Sequence, residues 1–361
     1  MNRLLVASAG GGKTSYLVKT ALEFTGGRVL ITTFTNANEE EIKKRIYKSC
    51  GYYPSNIVVQ SWWSFLLEHG ARPYQGGLYE KDIGGIRIVE GRSGLKMNTG
   101  KFPIYFGEEK DFDRFYFSSD SSIYYDKISK FVLRCDLESS GRVFGRIEKC
   151  FQMILVDEIQ DFSGHDLDIL KKFFSLKSSV LLVGDPRQGT YSTSNSAKNK
   201  KFRKSEIVHF FEDKTMRLEV DDTTLSINHR CVEAICQLSN SLYPDLKVAT
   251  SGNKIETGHD GVFFIHPDDV DNYLKKYGPM QLRYNIKSKT NLNYEAMNFG
   301  VSKGLEFERV LIYPTADMEK WLKNPKHELK TVTRSALYVA ITRGRQSTAI
   351  VGKFDNCFKI S

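Results

Sequence analysis

Long apolar runs are missing from this chain of 361 residues. Nothing approaches the ~20 consecutive apolar residues that a membrane-spanning helix needs, so no membrane partner is expected. Paired cysteine spacing is missing as well. The six cysteines, Cys50, Cys135, Cys150, Cys231, Cys236 and Cys357, contain no CxxC pair. That argues against a zinc site and against a disulfide framework, and leaves isolated reduced thiols. No internal repeat and no low-complexity segment is found. The N-terminus reads as strand and loop and not as a secretory leader, so a cytoplasmic protein is expected. The length suits two ordinary domains with real cores. The net charge of +9 favours a polyanionic partner without requiring one.

What is present begins almost at once. The apolar run Leu4-Leu5-Val6 leads directly into Ala7-Ser8-Ala9-Gly10-Gly11-Gly12-Lys13-Thr14, and the helical segment Ser15 to Leu22 follows. A buried strand, a glycine-rich turn and a helix in this order make a phosphate-binding loop. The glycines let the backbone curl, so that several N–H groups and a helix N-terminus face one anion. Lys13 then reaches the β- and γ-phosphates and Thr14 can ligate Mg2+, with Ser15 completing the start of the helix. Ala7 stands where this pattern commonly has its first glycine.

The rest of the chain alternates strand and helix patterns. Strands are expected at Arg28–Phe34, Asn56–Val59, Met153–Asp157 and Ser179–Asp185, with a charged helix from Ala37 to Ser49. A second set follows, with strands at Gly261–Ile265, Arg309–Tyr313 and Thr348–Val351. Such alternation implies parallel sheets covered on both faces. The fold class is therefore α/β, with two parallel-sheet domains expected at residues 1–217 and 218–361. Residues 70–145 carry many aromatics and charges with no sustained period, and read as an insert or long loops in the first domain. The basic run Lys198 to Lys204 reads as an exposed loop.

A second chemical anchor is Ile154-Leu155-Val156-Asp157-Glu158-Ile159-Gln160-Asp161. Apolar residues leading to Asp-Glu put two carboxylates at the C-terminal end of a buried strand, where ligands sit in open α/β sheets. Asp157 would hold Mg2+ and Glu158 would orient or deprotonate the attacking water. With the phosphate loop upstream, the pair reads as an ATPase using ATP and Mg2+.

At this point the chain resembles a superfamily 1 helicase of the UvrD/Rep/PcrA type, in a minimal form. Ile31 to Asn38 resembles motif Ia, Ser61 to Phe65 motif Ib, and Asp157 to Asp161 motif II. Val183 to Tyr191 resembles motif III, Asn228-His229-Arg230 sits where motif IV is expected, Ser302 to Phe307 resembles motif V, and Tyr338 to Arg345 motif VI. The resemblance implies two RecA-like domains with ATP hydrolysed in the cleft between them. It implies that Gln188 senses the γ-phosphate, that Arg230 and Arg343 act as arginine fingers, and that Glu306 contacts the nucleotide sugar. It places Phe34, Thr35, Asn36, Trp62, Trp63 and Tyr191 along a single-stranded DNA track, Phe34 stacking on a base. Trp62 and Trp63 could equally pack the helix they open.

The implied activity is translocation on single-stranded DNA or a tailed duplex, 3′ to 5′. An ATPase subunit that senses DNA and regulates a partner nuclease in defence or repair is the alternative. The chain departs from the pattern at four places. There is no room upstream of the loop for a glutamine stretch that reads adenine. His229 replaces a stacking tyrosine, Gly300 stands where His is common, and no Trp-Arg-Gly follows Tyr191. The first two departures predict relaxed selectivity for the base. The stretch Arg230 to Lys303 has room to complete one RecA-like fold and no large arm.

Overall fold

In the computed structural model, residues 2–100, 102–194 and 196–359 are described. Contacts divide the chain into two units. One takes in the chain up to Leu4, Thr14–Gly184 and Ser192–Val220; the other takes in Leu5–Lys13, Asp185–Tyr191 and the chain from Asp221 onward. The boundary expected after residue 217 lies close to this one, but the glycine-rich loop and the segment 185–191 group with the second unit.

The first unit is carried by six strands: β1 (Asn2–Val6), β2 (Val29–Thr33), β3 (Ile57–Ser61), β4 (Met153–Val156), β5 (Ser179–Gly184) and β6 (Leu218–Asp221). Their order is β6-β1-β5-β4-β2-β3. The pairings β2 with β3, β2 with β4 and β4 with β5 are all parallel. β2 is buried along its whole length, as its Val-Leu-Ile-Thr-Thr run requires of a central parallel strand. Helix α1 (Lys13–Glu23) buries Leu17, Val18 and Ala21 on one face. Helix α2 (Asn36–Cys50) opens with the Asn38 N–H donating to the Thr35 hydroxyl at 3.1 Å. It closes at Gly51 with φ of 80°, where only glycine sits without strain, and its N–H donates to the Tyr47 carbonyl at 2.7 Å.

The segment 70–145 is more ordered than its lack of periodicity suggested. A parallel strand pair (Ile86–Arg87 with Ile123–Tyr124) and an antiparallel pair (Leu95–Met97 with Ile104–Tyr105) precede the helix Ile128–Glu138. That helix buries Phe131, Val132 and Cys135, and belongs to the core of the unit. Stacked and edge-on rings, such as Tyr79 on Phe117 at 3.8 Å, replace an aliphatic pattern there.

The second unit holds a five-stranded parallel sheet: β7 (Gly261–Ile265), β8 (Met280–Arg283), β9 (Ala296–Asn298), β10 (Phe307–Tyr313) and β11 (Gly344–Val351), in the order β7-β11-β10-β8-β9. The short strands β6, β8 and β9 are additions to the sequence reading, because runs of three or four residues carry too little pattern to show. Helix α3 (Thr331–Ile341) buries seven successive residues from Ser335, which suits a helix enclosed on nearly all sides.

Candidate nucleotide and nucleic-acid site

The glycine-rich loop takes its shape from two left-handed residues, Gly10 and Gly12, with φ of 69° and 80°. Gly10 also has no space for a side chain. A Cβ there would stand 2.3 Å from Asn228 Oδ1 and 2.7 Å from Arg230 Cβ. The loop is pinned by Gly11 N–H to the Ser8 carbonyl (3.1 Å), Ser8 N–H to the Leu225 carbonyl (3.2 Å) and His229 N–H to the Gly10 carbonyl (3.0 Å). Ala7, Ser8 and Ala9 are buried, whereas Gly12 and His229 are exposed. The chain then enters α1 at Lys13, which presents the free N–H groups of a helix start.

Beneath the loop lies a buried polar network around Asp185. Its carboxylate accepts from Arg187 Nε at 2.9 Å, Gln188 Nε2 at 2.8 Å and the Tyr338 hydroxyl at 3.2 Å. The Ala9 N–H donates to the same Tyr338 hydroxyl at 3.2 Å, and Arg187 Nη2 donates to the Ala7 carbonyl at 3.1 Å. Burial holds the Tyr338 phenol well above its ordinary pKa, so the hydroxyl keeps the proton it donates.

The candidate arginine fingers are both engaged within the second unit. Arg230 Nε pairs with Glu306 Oε2 at 2.9 Å, and Arg345 lies 3.9 Å from the other oxygen of Glu306. Arg343 is only 1 % exposed. Its guanidinium donates to the Val339 carbonyl (3.0 Å), the Leu305 carbonyl (2.9 Å) and Gln188 Oε1 (3.5 Å). The structure thus brings Gln188 and Arg343 together.

In the first unit, the Thr14 hydroxyl stands 3.5 Å from Asp157 Oδ2. Glu158 follows in the left-handed region, with φ of 55° and ψ of 42°. A non-glycine residue held there costs about 1–3 kcal/mol and marks a position set by its surroundings. Its N–H donates to Asp157 Oδ1 at 2.8 Å, and the Gln160 amide donates to its carboxylate. Among the described residues no group of three or more His, Cys, Asp or Glu forms a metal cage. A hydroxyl beside one carboxylate is nonetheless the donor set that suits Mg2+, which keeps waters and takes its remaining ligands from phosphates.

The expected nucleic-acid residues separate into two kinds. Phe34 leaves the end of β2 half-buried, and its ring meets Trp63 edge-on at 5.2 Å. Trp63 meets Tyr125 at 5.3 Å, so three partly exposed aromatics adjoin. Thr35 is the cap of α2, Asn36 its exposed first residue. Trp62 is different. It is fully buried, its Nε1 donates to Asp166 Oδ1 at 2.8 Å, and Phe65, Phe162 and Phe173 surround it. Adjacent helical residues lie about 100° apart, so the two rings point in different directions. Trp62 therefore belongs to the core and not to a nucleic-acid track. In the second unit Tyr191 is 41 % exposed, donates to the Gly300 carbonyl at 2.9 Å, and lies under the Lys303 ammonium.

Residues 1–72 and 116–209 match the UvrD/REP helicase N-terminal domain. That match covers a little under half of the chain, which resembles the UvrD-type helicases over those residues. Over 110 residues it is 26 % identical to RecBCD enzyme subunit RecB of Chlamydia muridarum (strain MoPn / Nigg), a stretch covering 30 % of this chain and 10 % of that protein. Two solved structures share its fold at 15 % identity and a TM-score of 0.50: Arterivirus nonstructural protein 10 (helicase), and the same protein in complex with DNA. They align with 98 % of this chain, which spans 60 % and 61 % of their lengths. The fold is that of two RecA-like parallel-sheet domains.

Four residues of this chain were given no role from its sequence. Gln160, Arg187 and Tyr338 each stand inside a motif, between residues whose chemistry is easier to read. Tyr125 lies in the insert, where no period marks a face. For all four the signal is proximity in space. No helix among the described residues is long and apolar enough to cross a membrane.

Proposed function

We propose that this chain is an ATP-driven translocase or helicase acting on single-stranded DNA, moving 3′ to 5′, with residues 1–217 and 218–361 as its two motor domains. The observation that carries the reading is the Thr14 hydroxyl beside the Asp157 carboxylate, with Glu158 next in sequence in a strained conformation. Thr14 and Asp157 would hold Mg2+, which when bound neutralises charge on the β- and γ-phosphate oxygens. Lys13 and the loop N–H groups bind the same oxygens. Glu158 takes the proton from the attacking water as its oxygen bonds to the γ-phosphorus, and the bond from that phosphorus to the β–γ bridging oxygen breaks to release ADP. Gln188 orients the water and γ-phosphate. Arg230 and Arg343 stabilise the transferring group once they leave their present partners. Glu306 contacts the sugar, and Phe34, Asn36, Trp63, Tyr125 and Tyr191 meet the strand, since every base offers a ring face.

The test is ATP hydrolysis with and without single-stranded DNA. Lys13→Ala should abolish turnover, and Glu158→Gln should bind ATP without hydrolysing it. Near-normal turnover in Glu158→Gln would remove the assignment of the base. Displacement of a 3′-tailed but not a 5′-tailed duplex checks the polarity. A second reading, an ATPase subunit regulating a partner nuclease, draws on the likeness to RecB, a named subunit of the RecBCD enzyme. It predicts DNA-stimulated hydrolysis without strand displacement by the chain alone.

A further inference from the structure

Asp185 is fully buried and accepts from three side chains, one of which, Gln188, is the candidate γ-phosphate sensor. The other two, Arg187 and Tyr338, touch the backbone of the glycine-rich loop at Ala7 and Ala9. Tyr338 joins the two ends, because one hydroxyl accepts from the Ala9 N–H and donates to Asp185 Oδ2. Tyr338 is 1 % exposed and Arg187 3 % exposed, so water cannot substitute for either. The Arg187 guanidinium also lies over the Tyr338 ring, 5.6 Å from its centroid. A movement of Ala9 is therefore felt at Gln188 through two hydrogen bonds on one oxygen and a shared carboxylate.

We propose that Tyr338 is a positioning residue for hydrolysis, its hydroxyl coupling the state of the phosphate loop to the orientation of Gln188 through Asp185, with Arg187 tying the start of the loop to the same carboxylate. Tyr338 touches no substrate in this role. It acts through Gln188, and the proposal rests on the ATPase reading above. The network has a direct physical consequence. Nucleotide binding that draws the loop inward pulls on the Ala9 N–H, and the Asp185 carboxylate then turns Gln188. Removing the hydroxyl leaves binding by the loop intact but lets Gln188 rotate away from the one orientation that serves the transition state.

The experiment uses Tyr338→Phe in the full chain, alone and combined with Gln188→Ala. The ring contacts with Arg187 and Tyr243 are kept and only the hydroxyl is lost. Affinity for a fluorescent ATP analogue should stay within threefold, while kcat with saturating single-stranded DNA falls at least tenfold. In the Gln188→Ala background, Tyr338→Phe should change kcat by less than twofold, because the residue it acts through is gone. A merely structural role predicts equal fractional losses in both backgrounds, and that result overturns the proposal, as does an unchanged kcat in the single variant. If Tyr338→Phe does not fold, Asp185→Asn is carried through the same pair, with the same expected and overturning results. Wild-type chain that hydrolyses no more ATP than Glu158→Gln would instead overturn the ATPase reading, and this proposal with it.

Discussion

The Gln160 amide donates to the Glu158 carboxylate, and the missing side chain of Gly184 leaves room for it to do so. A Cβ at Gly184 would stand 2.6 Å from Gln160 Oε1 and from Ile159 Cγ1. The end of β5 is thus shaped to let the loop after β4 pass close by, and the Glu158 carboxylate, the proposed base, is held by that loop.

Gly184→Ala should therefore behave as a catalytic lesion without touching nucleotide. The expected result is a kcat for ATP lowered at least tenfold, about 1.4 kcal/mol, with KM within threefold. Steady-state hydrolysis with saturating single-stranded DNA measures both. Wild-type kcat in this variant would mean that the loop relaxes freely and that Glu158 is not held by it.

The two tryptophans should separate stability from binding. Trp62→Phe removes a donor from Asp166, a fully buried carboxylate whose pKa burial raises. It should cost about 1–3 kcal/mol of folding stability in urea melts while DNA affinity stays near wild type. Trp63→Ala and Phe34→Ala should do the reverse, weakening single-stranded DNA binding by about 1–3 kcal/mol per lost stack with little change in melting. Equal losses of affinity from Trp62→Phe and Trp63→Ala, at unchanged stability, would return Trp62 to the track.

Arg343 has two tasks in this reading, one in the fold and one in the reaction. Arg343→Ala removes a donor from each of the Leu305 and Val339 carbonyls, so the midpoint of thermal unfolding should fall by several degrees. Hydrolysis should fall by at least a hundredfold, and ATP affinity by far less, since a finger acts most in the transition state. Turnover that falls only as far as the folded fraction falls would assign Arg343 to structure alone.

His259 gives the second unit a pH dependence. Its ring is stacked between Tyr277 (3.7 Å) and Phe263 (4.0 Å), and Nε2 meets the Tyr273 hydroxyl at 2.7 Å. Burial lowers its pKa to about 4, with Arg309 and Lys276 acting in the same direction and Asp260 against it. The unfolded chain, with a histidine pKa near ~6.5, binds the proton first as pH falls. This contribution to stability is complete above that value and is lost as pH falls toward 4, at up to about 1.4 kcal/mol per pH unit. Urea melts of wild type and His259→Phe at pH 4 to 8 should show a shallower slope in the variant between pH 4 and 6.5. Parallel slopes would show that the imidazole is protonated in the fold.

What could be read from the chain alone was whatever depends on neighbours in sequence. The strand before Ala7 and the strand ending at Asp157 show themselves as apolar runs, because a parallel strand buried on both faces needs one. The loop glycines show because the left-handed φ at Gly10 and Gly12 admits no other residue cheaply. The family resemblance came from motifs of this local kind. Tertiary structure decided the rest. It alone determined which tryptophan of the pair faces the core, since the residue is the same at 62 and 63 and the fold sets Asp166, Phe162 and Phe173 beside Trp62. It alone joined Tyr338 to Ala9 and Asp185, residues far apart in the chain whose polar groups must find partners once water is excluded. Hydrogen bonds between distant residues leave no period in a sequence, because each donor needs only one acceptor, and the fold chooses which.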